Sequence, residues 1–272
     1  MRYFIHLSYD GTRYHGWQIQ PNGISVEGEI ERCLSTLLRT PIDIVGAGRT
    51  DAGVHARHMV AHFDYENEDG NENEDGNENE DENRNEDENG NRNGNEVKDF
   101  CKQLTYKLNR MLPPDIAIHR VEQVADDMHA RFSATARTYH YYVSMGRSPF
   151  NRHYMWQTHF ALDFALMNEA AAILMEYEDF ACFSKSHTDV KTTLCNVTEA
   201  RWIQTSETEW YFRIRANRFL RNMVRAVVGT LVEVGRHRLS LDGFRKVIES
   251  GQRTKAGESV PGHALFLEKV EY

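Results

Sequence analysis

Trp210-Tyr211-Phe212-Arg213-Ile214-Arg215-Ala216-Asn217 places Trp210, Phe212, Ile214 and Ala216 on one face of an extended chain. Tyr211, Arg213, Arg215 and Asn217 fall on the other, the period of a strand. The same alternation sets Tyr139 and Tyr141 opposite His140 and Tyr142, and the opening Met1–His6, His58–Tyr65 and the closing Ala264–Tyr272 also read as strands. Between them lie apolar residues at helical spacing. Val26, Ile30, Cys33, Leu34, Leu37 and Leu38 follow Ser25, which suits an N-cap. Val97, Phe100, Cys101, Leu104, Leu108, Met111 and Leu112 precede the helix-stopping Pro113-Pro114. Further helices read from Leu166 to Tyr177, from Met223 to Val234 and from Ser240 to Gly251. Strands and helices in both halves, joined by tight as well as helical connections, predict an α+β fold with a mostly antiparallel sheet.

The 272-residue chain is long enough for one large domain or two ordinary ones. No apolar run approaches the roughly 18 residues of a membrane span, and the start lacks the apolar stretch of a signal peptide. Cys33, Cys101, Cys182 and Cys195 are scattered without a Cys-x-x-Cys pair, so reduced thiols in a cytoplasmic protein are expected. The net charge of −9 argues against a nucleic-acid partner until it is located. Residues 66–96 contain only Glu, Asp, Asn, Gly and Arg, with fourteen acids and two arginines, a net of −12. The remainder carries 30 basic and 27 acidic residues, a net of +3, and is mildly basic. With no aliphatic or aromatic side chain to bury, 66–96 is expected to be a disordered acidic insertion between a strand and the helix beginning at Val97.

The chemistry is concentrated in Gly46-Ala47-Gly48-Arg49-Thr50-Asp51-Ala52-Gly53-Val54-His55-Ala56. An acid stands among small residues, two places after an arginine and behind the strand-like Ile42, Ile44 and Val45. The glycines and alanines leave room for a bulky ligand to reach Asp51. Arg49 can hold the carboxylate ionised by pairing with it. Gly-x-Gly alone reads as a turn, and the third glycine is misplaced for a dinucleotide fingerprint. His55, His58 and His62 fall at metal-like intervals, but in a strand 55 and 58 point to opposite faces, so no metal site is expected.

The full eleven residues resemble the catalytic segment of the tRNA pseudouridine synthase A family. Asp10-Gly11, Gly16-Trp17-Gln18-Ile19-Gln20-Pro21-Asn22-Gly23, Arg131–Tyr141, Asp179–Phe183, Phe219–Gly229 and Glu233–Arg236 are similar to other segments of that family. The 66–96 insertion departs from the pattern, as does Glu27, where family members more often carry glutamine. The resemblance implies two similar ferredoxin-like halves, 1–112 carrying the catalytic acid and 113–272, whose sheets join beneath an RNA-binding cleft. It implies isomerisation of uridine to pseudouridine at positions 38, 39 and 40 of the tRNA anticodon stem-loop, without a cofactor, by a homodimer. Asp51 is then the nucleophile, acting by attack on C1′ or by removal of a sugar proton. Arg225 pairs with it, Arg49 fills the gap left by the extruded base or holds the flipped nucleotide, and Tyr139 stacks on the uracil. Arg57, Arg137, Arg218 and Arg221 are candidate contacts to the RNA. The rival readings are a pseudouridine synthase with another RNA target and a non-catalytic tRNA-binding or chaperone protein on the same scaffold.

Overall fold

The structure is a computed structural model that describes residues 1–66, 86–185 and 191–272, and for 86–93 the backbone alone. It contains strands β1 (Arg2–Tyr9), β2 (Val45–Gly46), β3 (His55–Asp64), β4 (Ile116–Val124), β5 (Ala136–Ser144), β6 (Trp156–Gln157), β7 (Val197–Gln204), β8 (Glu209–Ala216) and β9 (Leu265–Glu271). The α-helices are α1 (Val26–Leu38), α2 (Glu86–Met111), α3 (Phe164–Ile173), α4 (Met223–Gly235) and α5 (Leu241–Glu249). Among the described residues the nine strands form one sheet in the order β4-β1-β3-β9-β5-β8-β7, with β2 on β3 and β6 on β5. Every ladder is antiparallel except β3–β9 and β5–β6. The expected mixed α+β fold with a mostly antiparallel sheet is therefore borne out. The β3–β9 ladder, which joins the strands of the first half of the chain to those of the second, is only His55↔Phe266 and Ala56↔Leu267.

Local chemistry accounts for the elements. The Ser25 side chain accepts from Gly28 N at 3.2 Å and starts α1; Ser240 does the same for α5 through Gly243 N at 3.0 Å. The helices cover one face of the sheet. Phe100 of α2 lies against Tyr3, and Phe164 of α3 stacks on Trp210 and meets Trp202, while Tyr3, Ile5, Leu7, Tyr141, Phe212 and Ile214 are buried. All four cysteines are buried and unbridged.

Two expectations are corrected. Residues 67–85 of the expected insertion lie outside the described residues, but α2 begins at Glu86 instead of Val97, so 86–96 is helical. The apolar stripe downstream supplies the nucleus and acids suit the first turn, which together carry the helix through Gly90, Gly94 and the asparagines between them, all poor helix formers. The three histidines also share one face. A register shift between Leu7 and Tyr9 interrupts the alternation of β3. It brings His55 onto Phe266, His58 onto His6 and His62 opposite Phe4, all on the helix-free side. Among the described residues they build no group of metal-ligand type, and no helix is long and apolar enough to cross a membrane.

His58 and His62 give the sheet a pH dependence. Val270 N–H donates to His58 Nδ1 at 3.2 Å, and Ala130 N–H to His62 Nδ1 at 3.2 Å. Burial, aided by nearby cationic groups, holds both rings down to about 4 from the ordinary 6.5. Each ring is neutral when folded and gains a proton on unfolding in mild acid. Its stabilisation is complete above pH 6.5 and is lost as pH falls toward 4. Urea midpoints measured across this window should fall steadily, and replacing both histidines with asparagine should flatten the fall.

Candidate active site

Asp51 opens a turn at the entrance to β3. Its carbonyl accepts from Val54 N at 3.1 Å, and Gly53 at the third position has φ 74, a conformation open to glycine. The turn rests on the amino-terminal segment. Trp17 N donates to Thr50 O at 3.2 Å, Gly53 N to Tyr14 O at 3.3 Å, and the Tyr9 hydroxyl meets Thr50 Oγ1 at 2.9 Å. Glycines permit this close approach. A Cβ on Gly11 would lie 2.0 Å from Val54 O, and one on Gly16, which has φ 97, 2.4 Å from Thr50 O. Gly16→Ala should therefore cost roughly 1–3 kcal/mol of stability through backbone strain and displace Thr50 and Asp51. Denaturant unfolding and turnover measured together check both effects.

Arg225 comes to this turn from α4. Its Nη1 lies 3.1 Å from Asp51 Oδ2, while its Nε donates to Val260 O at 2.7 Å. The two side chains are 22% and 26% exposed, so the pair is neither sealed nor fully solvated. Arg221, one turn earlier, approaches Asp51 Oδ1 at 4.0 Å and is more exposed. Between them Asn222 adopts φ 66 and donates to Ser259 Oγ, turning the chain into α4 so that both arginines face Asp51. Tyr139 of β5 is buried beside them and packs edge-on against Phe219 at 5.1 Å. Burial pushes its hydroxyl up to about 12, with the Asp51 charge adding and Arg137 opposing. Asp51, Arg225, Arg221 and Tyr139 thus converge, with residues 51 and 225 supplied from distant parts of the chain.

The other expected residues go elsewhere. Arg49 is exposed and, among the described residues, makes no ion pair with Asp51, because the turn aims the carboxylate at α4. Its charge acts instead on Glu27, where burial raises the carboxyl pKa and Arg49 opposes the rise. Both Glu27 oxygens accept, from Trp17 Nε1 at 3.1 Å and Ile19 N at 2.8 Å. Arg137 is no RNA contact. It is 8% exposed, and its guanidinium ties together the carbonyls of Ala134, Asn217, Ala47 and Arg131. Arg57 lies over Phe266 and Tyr142 and 3.6 Å from Glu268, on the face opposite Tyr139. An open cleft of about 270 Å³ on that side is lined by Tyr9, Asp10, His55, Arg57, Tyr154 and Phe266, but not by Asp51 or Arg225. The half-buried Arg218 lies near Arg137 and follows the strand that leads to Arg221. The buttressing glycines and residues 259–263 were missed as parts of the site. The nearness of Gly11 and Gly16, five positions apart, was the signal for the glycines.

A family model described as tRNA pseudouridine synthase matches residues 170–272. The tRNA pseudouridine synthase A of Bacteroides thetaiotaomicron is 54% identical, the match covering 100% of this chain and 90% of that protein. That of Bacteroides fragilis is 53% identical, covering 100% and 96%, and that of Chlorobaculum tepidum 38%, covering 98% and 96%. The protein is thus a pseudouridine synthase, an isomerase of RNA modification. Within that class, the chain belongs to the tRNA pseudouridine synthase A family.

Proposed function

We propose that the protein converts uridine to pseudouridine at positions 38, 39 and 40 of the tRNA anticodon stem-loop, with Asp51 as nucleophile and without a cofactor. The observation that carries this reading is the Asp51 carboxylate held 3.1 Å from Arg225 beside buried Tyr139, in a member of this family. The target nucleotide is extruded at a cost of roughly a few kcal/mol, and the exposed Arg49 is free to take the space it leaves. Tyr139 stacks on the uracil, a contact worth roughly 1–3 kcal/mol. Its hydroxyl has no hydrogen bond among the described residues and so can face the base. The N1–C1′ bond breaks with its electron pair leaving on the uracil. Asp51 meets the electron-poor C1′, as carboxylates do in glycoside cleavage. The base turns, C5 bonds to C1′ as the carboxylate departs, and the C5 proton is lost while N1 gains one. No atom enters or leaves, so a second carboxylate to manage water is not needed.

The same reading makes the molecule two ferredoxin-like halves. Residues 2–124 order their strands β4-β1-β3-β2 and residues 136–271, the two-residue β6 on β5 aside, order theirs β9-β5-β8-β7, each then the pattern fourth, first, third, second. β4 pairs with β1, so we place the division after β4, not at 112–113. A cytoplasmic homodimer cradling one tRNA completes the proposal. Mapping pseudouridine at nucleotide resolution after incubation with unmodified tRNA tests it. Product at 38–40 is expected; product only elsewhere, or none, would overturn the assigned target or the activity respectively.

A further inference from the structure

The backbone of residues 260–263 runs between the two sides of the site, and side chains from three elements close on its carbonyls. Arg225 Nε donates to Val260 O at 2.7 Å, the Tyr141 hydroxyl to Pro261 O at 3.0 Å, and His55 Nε2 to His263 O at 2.9 Å. The carbonyl can only accept, so Nε2 carries the imidazole proton. Gly11 N–H then donates to Nδ1 at 3.0 Å. Burial holds the ring below the ordinary histidine range against the pull of Asp10, 3.0 Å from Nδ1.

This strip of backbone is fastened on both sides. Toward α4, Val260 N donates to Arg225 O at 3.3 Å and Gly257 N to Thr230 Oγ1 at 2.9 Å, while a Cβ on Gly229 would lie 1.8 Å from Glu258 O. Toward the Asp51 turn, a Cβ on Gly262 would lie 2.8 Å from Ala52 O. We propose that His55 is a positioning residue for catalysis: it pins the Asp51 turn to the same stretch of backbone that holds Arg225, and so sets the geometry of the carboxylate–guanidinium pair. His55 is 1% exposed and stacks on Phe266 at 4.5 Å, on the helix-free side of the sheet. It touches no substrate and acts through Asp51. The proposal rests on Asp51 being the reacting carboxylate.

The test compares the wild-type protein with His55→Ala, His55→Gln, Gly262→Ala and Asp51→Asn. Single-turnover pseudouridine formation at saturating enzyme, RNA binding and thermal unfolding are measured well below every melting temperature. His55→Ala should lower the saturating rate about 100-fold, the scale of an ångström-sized misplacement. Its RNA affinity should stay within about 3-fold, since only transition-state geometry is lost. His55→Gln should regain most of the rate, because one amide can donate to His263 O while accepting from Gly11 N–H. Gly262→Ala should slow the reaction by inserting a methyl between strip and turn, with every side-chain donor intact. A wild-type saturating rate in His55→Ala, or no recovery in His55→Gln, would overturn the proposal. If His55→Ala does not fold, a fast Gly262→Ala or a slow His55→Gln does so. Asp51→Asn separates the two levels. Turnover in that variant sinks the catalytic reading itself, whereas an inactive Asp51→Asn beside a fast His55→Ala sinks only the positioning role.

Discussion

Asp51→Asn is expected to yield a folded protein that binds RNA within a few-fold of wild type and forms no measurable pseudouridine. The amide keeps the size of the carboxylate and can still accept from Arg225 Nη1, now 3.1 Å from Asp51 Oδ2. It lacks the negative charge and the nucleophilic oxygen that the proposed step at C1′ requires. A fall of at least about 10⁴-fold in turnover is the scale seen when a reacting group is removed from a catalytic set. The Asp51 turn is held chiefly by backbone bonds to Tyr14, Trp17 and Val54, which the substitution leaves in place. Turnover and binding must therefore part company. Product at the wild-type rate in this variant would end the nucleophile assignment.

Arg225→Lys carries the next largest expected effect. Arg225 uses two edges of a planar fork, Nε toward Val260 O and Nη1 toward Asp51. An ammonium is a point donor on a flexible stem and cannot reproduce that fixed pair of directions. Loss of one aimed, charge-assisted hydrogen bond corresponds to about 2–3 kcal/mol, or roughly 100-fold in rate. The pair is about a quarter exposed, which places the effect toward the lower end. Single-turnover rates for the lysine and glutamine variants check this. Equal rates in wild type and Arg225→Lys would mean that charge alone, not the fork, serves Asp51.

Most of the fold was legible because it rests on periodicity. Ser25 and Ser240 mark helix starts that the structure reproduces, and the alternation in β8 separates a buried face from a half-buried one. β4 and β7 were not recognised, since each mixes buried and exposed residues irregularly. The resemblance of their segments pointed to Asp51, Tyr139 and Arg225, and the structure brings these three side chains together. Arg49 was misassigned as a partner of Asp51 because nearness in sequence does not say which way a turn sends a side chain. Arg137 was misread because its partners are four carbonyls, and backbone groups leave no mark in the amino-acid letters. The same holds for residues 260–263, whose contribution is made almost wholly through main-chain oxygen.

The carboxylate and its arginine stand 174 positions apart, and the strip that aligns them comes later still. During synthesis the acid leaves the ribosome first and stays unpaired until nearly the whole chain has followed. A product released by stalling before residue 225 carries the carboxylate but neither its counter-ion nor its brace. The aligned pair thus forms only once residues 260–263 have been made, so a chain stopped short of them has no site of this geometry.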